Sequence, residues 1–171
     1  MKFFAAMFVA ASMFAVTGCS KDEDSVNKDD VVGSWSLDKM IVTQTVSGLT
    51  GEYAIYNGSQ TQESGPEEGE SSIFTFNSDG TLNVANTFID HDNNDEIVTE
   101  TGTGTWSLSG NKLAFDVVYD NQDTDSQVFV VEEVTGTKLV LSTEKTQTDS
   151  QSIPGQTATI TYSVKLKFNK V

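Results

Sequence analysis

The sequence contains one cysteine, Cys19, one histidine, His91, and no arginine, against 25 acidic residues. Nucleophilic catalysis needs a thiolate or hydroxyl beside a base that a third group holds in place. His91 is the only imidazole available as that base, and it lies in "DHDNNDE", Asp90 to Glu96, whose composition is that of a loop tip. The same run sets oxygen ligands at alternate positions, as the start of a calcium loop does. A twelve-residue calcium loop needs glycine at its sixth position and a bidentate carboxylate at its twelfth; here these are Asp95 and Thr101. A solvated hairpin loop accounts for the run, with Asp90, Asp92 and Asp95 as the metal candidates it offers; no metal or other cofactor is expected. Paired carboxylates are abundant, but an exposed acidic loop does not raise the pKa of one member as general acid–base chemistry demands. The expectation is a protein that binds and does not catalyse.

Cys19 sits at the end of an apolar run. "FFAAMFVAASMFAV", Phe3 to Val16, follows a single lysine, Lys2, and its 14 residues fall short of a membrane span but suit the core of a secretory signal. The run ends in "VTGC", Val16 to Cys19, which resembles the lipobox of bacterial lipoproteins: a branched apolar residue, two small residues, then the cysteine. The resemblance implies cleavage before Cys19 and acyl chains on its sulfur. The mature chain would then have no free thiol and no Cys–His site, and several chains on one cysteine anchor stably where a single chain is marginal. A secreted soluble protein with a stray cysteine is the alternative. "SKDED", Ser20 to Asp24, is similar to the acidic export tether of some surface lipoproteins, and an ordinary solvated linker explains it as well. On this reading residues 1–18 are a lipoprotein signal peptide, 19–31 an acidic tether and 32–171 a single domain. The partner of Cys19 is the membrane, and the location is the outer membrane, on its periplasmic or cell-surface face.

The formal charge of the whole chain is −15, and loss of Lys2 makes the mature chain more negative still. Neutralising phosphates requires clustered cations, so no nucleic-acid partner is expected. Without arginine, bidentate recognition of carboxylate or phosphate in its usual form is unavailable.

The elements that must position any site are strands. "ATITYSVKLKF", Ala158 to Phe168, puts Ile160, Tyr162, Val164, Leu166 and Phe168 on one face and Thr159, Thr161, Ser163, Lys165 and Lys167 on the other. Shorter alternations run from Trp35 to Thr45, Ser72 to Asn77, Thr81 to Ile89, Ile97 to Leu108, Lys112 to Tyr119, Gln127 to Val134 and Lys138 to Lys145. Three connections are tight and contain glycine, at 78–80, 109–111 and 135–137; four are longer and polar, at 47–71, 90–96, 120–126 and 147–156. The two kinds alternate. In an up-and-down meander the tight turns then share one end of the sheet and the long loops the other, and eight strands can close with no exposed edge. The expected fold is all-β: an eight-stranded up-and-down antiparallel barrel with a tight floor and a loop-rich mouth, preceded by the signal peptide and short tether. Parity puts "GSW", Gly33 to Trp35, and "GTW", Gly104 to Trp106, at the floor, where an indole plugs the end and glycine lets the backbone come close.

"VVGSWSL", "FTFNSDGTL", "GTGTWSLSGNKLAF" and "EVTGTKLVLS", spread from Val31 to Ser142, resemble the bacterial lipocalin-like lipoproteins, which pair a lipobox with a lipocalin-type barrel. Many lipocalins cover the floor tryptophan with an arginine from the last strand; here Lys165, Lys167 and Lys170 are the candidates for that place. The resemblance implies no single activity.

Lumen candidates are Phe74, Phe76, Leu82, Val84, Phe88, Leu113, Phe115, Val117, Tyr119, Leu139, Leu141 and the even-numbered residues of the last strand. An eight-stranded interior is either just filled by side chains or just holds one small ligand. If a cavity exists, Phe74, Phe76, Phe88 and Phe115 favour a small apolar or aromatic body, with Tyr119 and Tyr162 as polar handles. The mouth carries Glu63, Glu67, Glu68, Glu70, Asp90, Asp92, Asp95, Glu96, Asp120, Asp123, Asp125 and Asp149, a rim that repels carboxylates and attracts cations or basic partners. In the first long connection, "YAIY" at Tyr53 to Tyr56 could form a lid or a short extra edge segment, and "GSQTQESGPEEGESS" is compositionally disordered. Two function classes follow: a lipid-anchored carrier of a small, largely apolar ligand, or a tethered interaction module using the acidic loops on a filled barrel to bind protein, glycan or divalent cation.

Overall fold

The computed structural model describes residues 26–91, 94–150 and 155–171. Cys19, the apolar run before it and Asp92 lie outside the described residues. Nine strands form: β1 (Gly33–Ser47), β2 (Gly58–Ser64), β3 (Ser71–Phe76), β4 (Thr81–Asp90), β5 (Glu96–Ser109), β6 (Lys112–Tyr119), β7 (Thr124–Val134), β8 (Lys138–Asp149) and β9 (Ala158–Lys170). β1 and β3 to β9 pair in sequence order, each antiparallel to the next, and β1 pairs with β9 from Trp35–Lys170 to Ser47–Thr159. The result is a closed eight-stranded up-and-down barrel. Its strands are rich in threonine, valine, isoleucine and aromatics, side chains that fit a pleated surface with one dry face. On the outer face, hydroxyl pairs bridge neighbouring strands, as between Thr43 and Thr61, Thr45 and Ser59, and Thr146 and Thr161.

The first long connection is more ordered than its composition suggests. A short 3-10 helix spans Gly51–Tyr56, and β2, seven exposed residues, lies along β1 from Val46–Gly58 to Met40–Ser64. β1 therefore has two partners on one edge: β3 on Gly33 to Ser36 and β2 beyond Met40. The change of partner coincides with a bulge between Leu37 and Lys39, and with Gly65, where a Cβ would stand 2.7 Å from the Asp38 carbonyl oxygen. A second bulge, between Val131 and Glu133, lies near the upper end of the short β7–β8 pairing, which runs from Val134–Leu139 to Val130–Ser142. Above these two bulges β2, β1, β9 and β8 continue as one ladder, and the β4–β5 hairpin rises opposite, paired up to Asp90–Glu96.

The floor is closed and dry. A four-residue helix, α1 (Lys28–Val31), is capped by the Asn27 side chain and seals the end with Val31, which is fully buried. The end of the expected tether thus packs on the barrel. Trp35 donates Nε1–H to the Val31 carbonyl at 2.8 Å, and Trp106 donates to the Asn77 carbonyl at 2.9 Å, so both indoles are buried with their polar atom satisfied. Of the three candidate lysines it is Lys170 that covers Trp35, with Nζ 4.9 Å from the ring centre, and Lys28 covers Trp106 in the same way at 5.0 Å. The β3–β4 turn supports this end through Gly80, whose φ of +88° needs a glycine and whose carbonyl accepts from Trp106 N–H at 2.8 Å. Gly104 is required for another reason: a Cβ there would collide with the Asp116 carbonyl of β6.

Candidate functional site: the upper lumen

The lower half of the lumen is a packed aromatic core. Phe74 meets Phe168 edge-on at 5.5 Å and Phe115 at 6.1 Å, Phe76 meets Trp106 edge-on at 5.3 Å, and Phe115 stacks on Phe129 at 5.7 Å. Leu82, Val84, Leu113, Val117, Leu139 and Leu141 fill the gaps. Phe74, Phe76 and Phe115, three of the lumen residues expected to contact a ligand, are thus brought together as part of the core. Gly33, Trp35, Gly104 and Trp106 are placed at the floor.

Above this core the lumen face changes character. Period-two alternation continues the inward set of β4 from Leu82 and Val84 to Asn86 and Phe88, that of β5 from Trp106 through Gly102 to Glu100 and Val98, and that of β7 from Phe129 to Gln127 and Asp125. A polar tier results. Ser72 donates its hydroxyl to Asn86 Oδ1 at 2.6 Å, and the Asn86 side chain hydrogen-bonds Tyr119. The Tyr119 ring lies against Gly102, where a Cβ would be 2.9 Å from its Cδ1. Burial, then the nearby negative charge of Asp125, push the Tyr119 phenol above its ordinary pKa, with Glu100 adding to the same effect. Tyr119 therefore stays a neutral hydroxyl donor at ordinary pH. Glu100 is also held above the usual carboxylate range, first by burial and then by Asp123 and Asp120. Asn121 donates to Glu100 at 2.7 Å and Gln127 to Asp125 at 2.9 Å.

The opposite wall is apolar. Met40 pairs with Leu166, Val42 with Val164, Gln44 with Tyr162 and Val46 with Ile160, all on the face that continues from Leu37 and Phe168 in the core, and all are half-buried. The Asp38 bulge makes this possible: with one extra residue between Leu37 and Lys39, Met40 turns inward with Leu37 although the two are an odd number of positions apart. Tyr162 stands on this wall, across the barrel from Tyr119, and the structure does not bring the two together as a pair. Phe88 is 39% exposed on the lumen face near the top, paired with Val98. The alternation that placed Trp106 and Phe129 inward was the signal that could have found Glu100, Asp125, Gln127 and Asn86, had it been extended past the apolar residues.

The remaining candidates sit on the rim. His91 Nδ1 is 2.6 Å from Asp95 Oδ1, and Asp90 ends β4. Among the described residues no three His, Cys, Asp or Glu side chains are grouped to hold one ion. Concavities of about 330 and 350 Å³ are formed on the outer face of β3 to β5, between Ile73, Thr75, Asn83 and Thr103, and beside the 3-10 helix, between Glu52, Tyr53, Ile55 and Tyr56.

A filled floor bearing two capped tryptophans, at one end of a closed eight-stranded meander, fits one description. The family model of the lipocalin-like domain matches residues 31–141. The chain belongs to the lipocalin-like domain family. Among solved structures this lipocalin-like chain is similar to a lipocalin-like protein from Bacteroides uniformis, with 16% identity over 83% of this chain and 99% of that one, at a TM-score of 0.41. Apocrustacyanin C2 is similar over 85% of this chain and 63% of its own, with 14% identity and a TM-score of 0.41. A polyisoprenoid binding domain from Saccharophagus degradans is similar over 80% of this chain and 98% of its own, with 8% identity and a TM-score of 0.32. No curated protein matches the chain.

Proposed function

We propose that this protein is a lipid-anchored envelope lipoprotein that holds a small, largely apolar ligand in the upper lumen and catalyses no reaction. The observation that carries this reading is the half-buried apolar wall of Met40, Val42, Val46, Ile160, Val164 and Leu166, which faces the lumen above a core that is already full. Apolar surface left half-buried on the lumen face is what a ligand covers with gain. The anchor is proposed at Cys19, from the lipobox resemblance, and the location at the outer membrane. The described chain starts at Val26 beside the floor, which favours a mouth turned away from the lipid surface. The only imidazole lies on the rim against Asp95, which supports a binding role over nucleophilic catalysis.

The test is native mass spectrometry of the protein released from its own membranes, joined to titration with the neutral fluorophore N-phenyl-1-naphthylamine. A defined apolar adduct, or fluorophore binding that Val164→Trp abolishes, is expected; a clean mass with no fluorophore binding refutes the reading. For the anchor, Cys19→Ser is expected to move the protein from the membrane to the soluble fraction, and persistent membrane attachment would refute it. The second reading, a scaffold whose mouth loops meet a partner, is favoured by one observation: Ile55 and Tyr56 stand 78% and 62% exposed on the 3-10 helix.

A further inference from the structure

The charges on the lumen face are not evenly spread. In the lower half the inward positions are apolar or aromatic, and the ammoniums of Lys170 and Lys28 at the floor are spent on covering Trp35 and Trp106. Above the core the inward register positions hold Asp90 on β4, Glu96 and Glu100 on β5, Asp125 on β7, and Lys145 and Asp149 on β8, whereas β1, β3, β6 and β9 contribute only uncharged side chains there. Five carboxylates thus face one ammonium. They are distributed over four strands and, among the described residues, are not gathered into a set that could hold one metal ion. Two of them, Glu100 and Asp125, flank Tyr119, and their hydrogen-bond partners are the neutral amides of Asn121 and Gln127.

Resting on the lumen-binding reading above, we propose that the ligand is an organic cation, an apolar body bearing an ammonium group, with the ammonium seated beside Tyr119 within reach of Glu100 and Asp125 and the body against Val42, Val164 and Leu166. A carboxylate or phosphate at this position would bring like charge against like charge in a partly desolvated space, which costs affinity. An ammonium does the opposite. It supplies the opposite charge that neutral amide partners cannot, and the face of the Tyr119 ring offers it a further attraction. The repulsion that Asp120 and Asp123 exert on Glu100 is relieved by the same cation. The apolar wall lies across the barrel from the polar tier, so one molecule with two chemically different ends satisfies both.

The experiment uses three probes with one body: phenethylamine, phenethyl alcohol and phenylacetate, titrated calorimetrically into the full chain at neutral pH. The amine is expected to bind about tenfold more tightly than phenylacetate, the size two partly exposed ion pairs give, with the alcohol between them. In the double variant Glu100→Gln, Asp125→Asn the preference for the amine over phenylacetate is expected to fall to within about threefold, with the alcohol affected less than either charged probe. Glu100→Asp keeps the preference, and equal melting temperatures show that each variant is folded. Equal binding of all three probes, or a preference that survives in the double variant, overturns the cation assignment and leaves the lumen reading standing. No binding of any probe, together with no binding of the neutral naphthylamine, overturns both.

Discussion

Phe76 and Phe88 sit on the same lumen face at different heights, and replacing each with alanine separates the core from the site. Phe76 is 1% exposed and locked edge-on against Trp106. Phe76→Ala removes a fully buried ring from a region without room to collapse, since Phe74, Leu82 and Trp106 are each held by their own strands. The expected cost is about 3–5 kcal/mol, transfer and cavity contributions together. For a chain of this size that lowers the melting temperature by about 10 °C. Phe88 is 39% exposed, so Phe88→Ala loses only part of a ring's transfer free energy, about 1–2 kcal/mol, and leaves no sealed cavity because water can enter. Ligand binding should respond in the opposite order. Phe88→Ala is expected to weaken N-phenyl-1-naphthylamine about fivefold through one lost aromatic contact, while Phe76→Ala leaves its affinity within about twofold. Thermal denaturation followed by circular dichroism and fluorescence titration at a temperature where both variants are folded give the two numbers. A Phe76→Ala variant that is nearly as stable as the parent and has lost the fluorophore would show that the floor is accessible, and the division of the lumen would be wrong.

Three further outcomes follow from particular contacts. The Lys165 ammonium, 2.7 Å from Glu132, holds that carboxyl below its usual range by hydrogen bonding; the folded-state pKa is depressed, so the stabilisation is complete above the unfolded value of about 4.3 and is lost as pH falls through the folded value. The gap in melting temperature between the parent and Glu132→Gln should therefore narrow on acidification, and a gap that stays constant down to about pH 3 would remove the pair as its cause. Gly104→Ala, whose Cβ meets the Asp116 carbonyl, is expected to cost about 3 kcal/mol, whereas Gly136→Ala, with nothing within 4 Å, stays within about 0.5 kcal/mol in chemical denaturation; equal costs would refute the close approach of β5 and β6. Amide exchange should be fast in β2, which has one partner strand and seven exposed residues, and slow in the lower half of β9, paired on both edges; comparable protection would show that β2 is an integral part of the barrel.

What was legible in the sequence is what period two and turn chemistry report. The alternation of Ala158 to Phe168, the glycine turns and the tight–long rhythm of the connections gave the eight barrel strands, and parity gave the floor for Trp35 and Trp106. β2 was not legible because its residues, "GSQTQES", carry no apolar face: the strand exists because β1 has an open edge above Met40, a property of another segment. The bulge at Asp38 was hidden for a related reason. "WSLDKMIV" reads as one alternation with an ambiguous middle, and only the pairing of Leu37 with Phe168 and Lys39 with Lys167 reveals the extra residue. Asp125 was read as a mouth acid because charge suggests solvent, and Glu100, inside an expected strand, was given no place in the lumen, although the strands they belong to put both inward. Local polarity and strand parity conflicted there, and conflicts of that kind collect at functional positions.

The two bulges mark where the barrel passes from a packed core to a lumen face of half-buried side chains. Below them every strand has two partners, the turns are tight, and Gly102 and Gly104 let β6 approach β5 closely enough for aromatic rings to fill the interior. At the bulges β1 changes partner from β3 to β2, and β7 ends its pairing with β8. Above them β2, β1, β9 and β8 continue as one ladder on one side and β4 to β7 as another on the other side. Without the Asp38 bulge, strict alternation would carry Lys39 into the lumen and Met40 to solvent, inverting the apolar wall along the rest of β1. The same irregularity at which β1 changes partner therefore keeps the lumen face of β1 apolar above it. The packing that holds the fold and the apolar wall of the proposed site thus lie at different heights of a single sheet, so substitutions in the upper tier are expected to alter binding without loosening the floor.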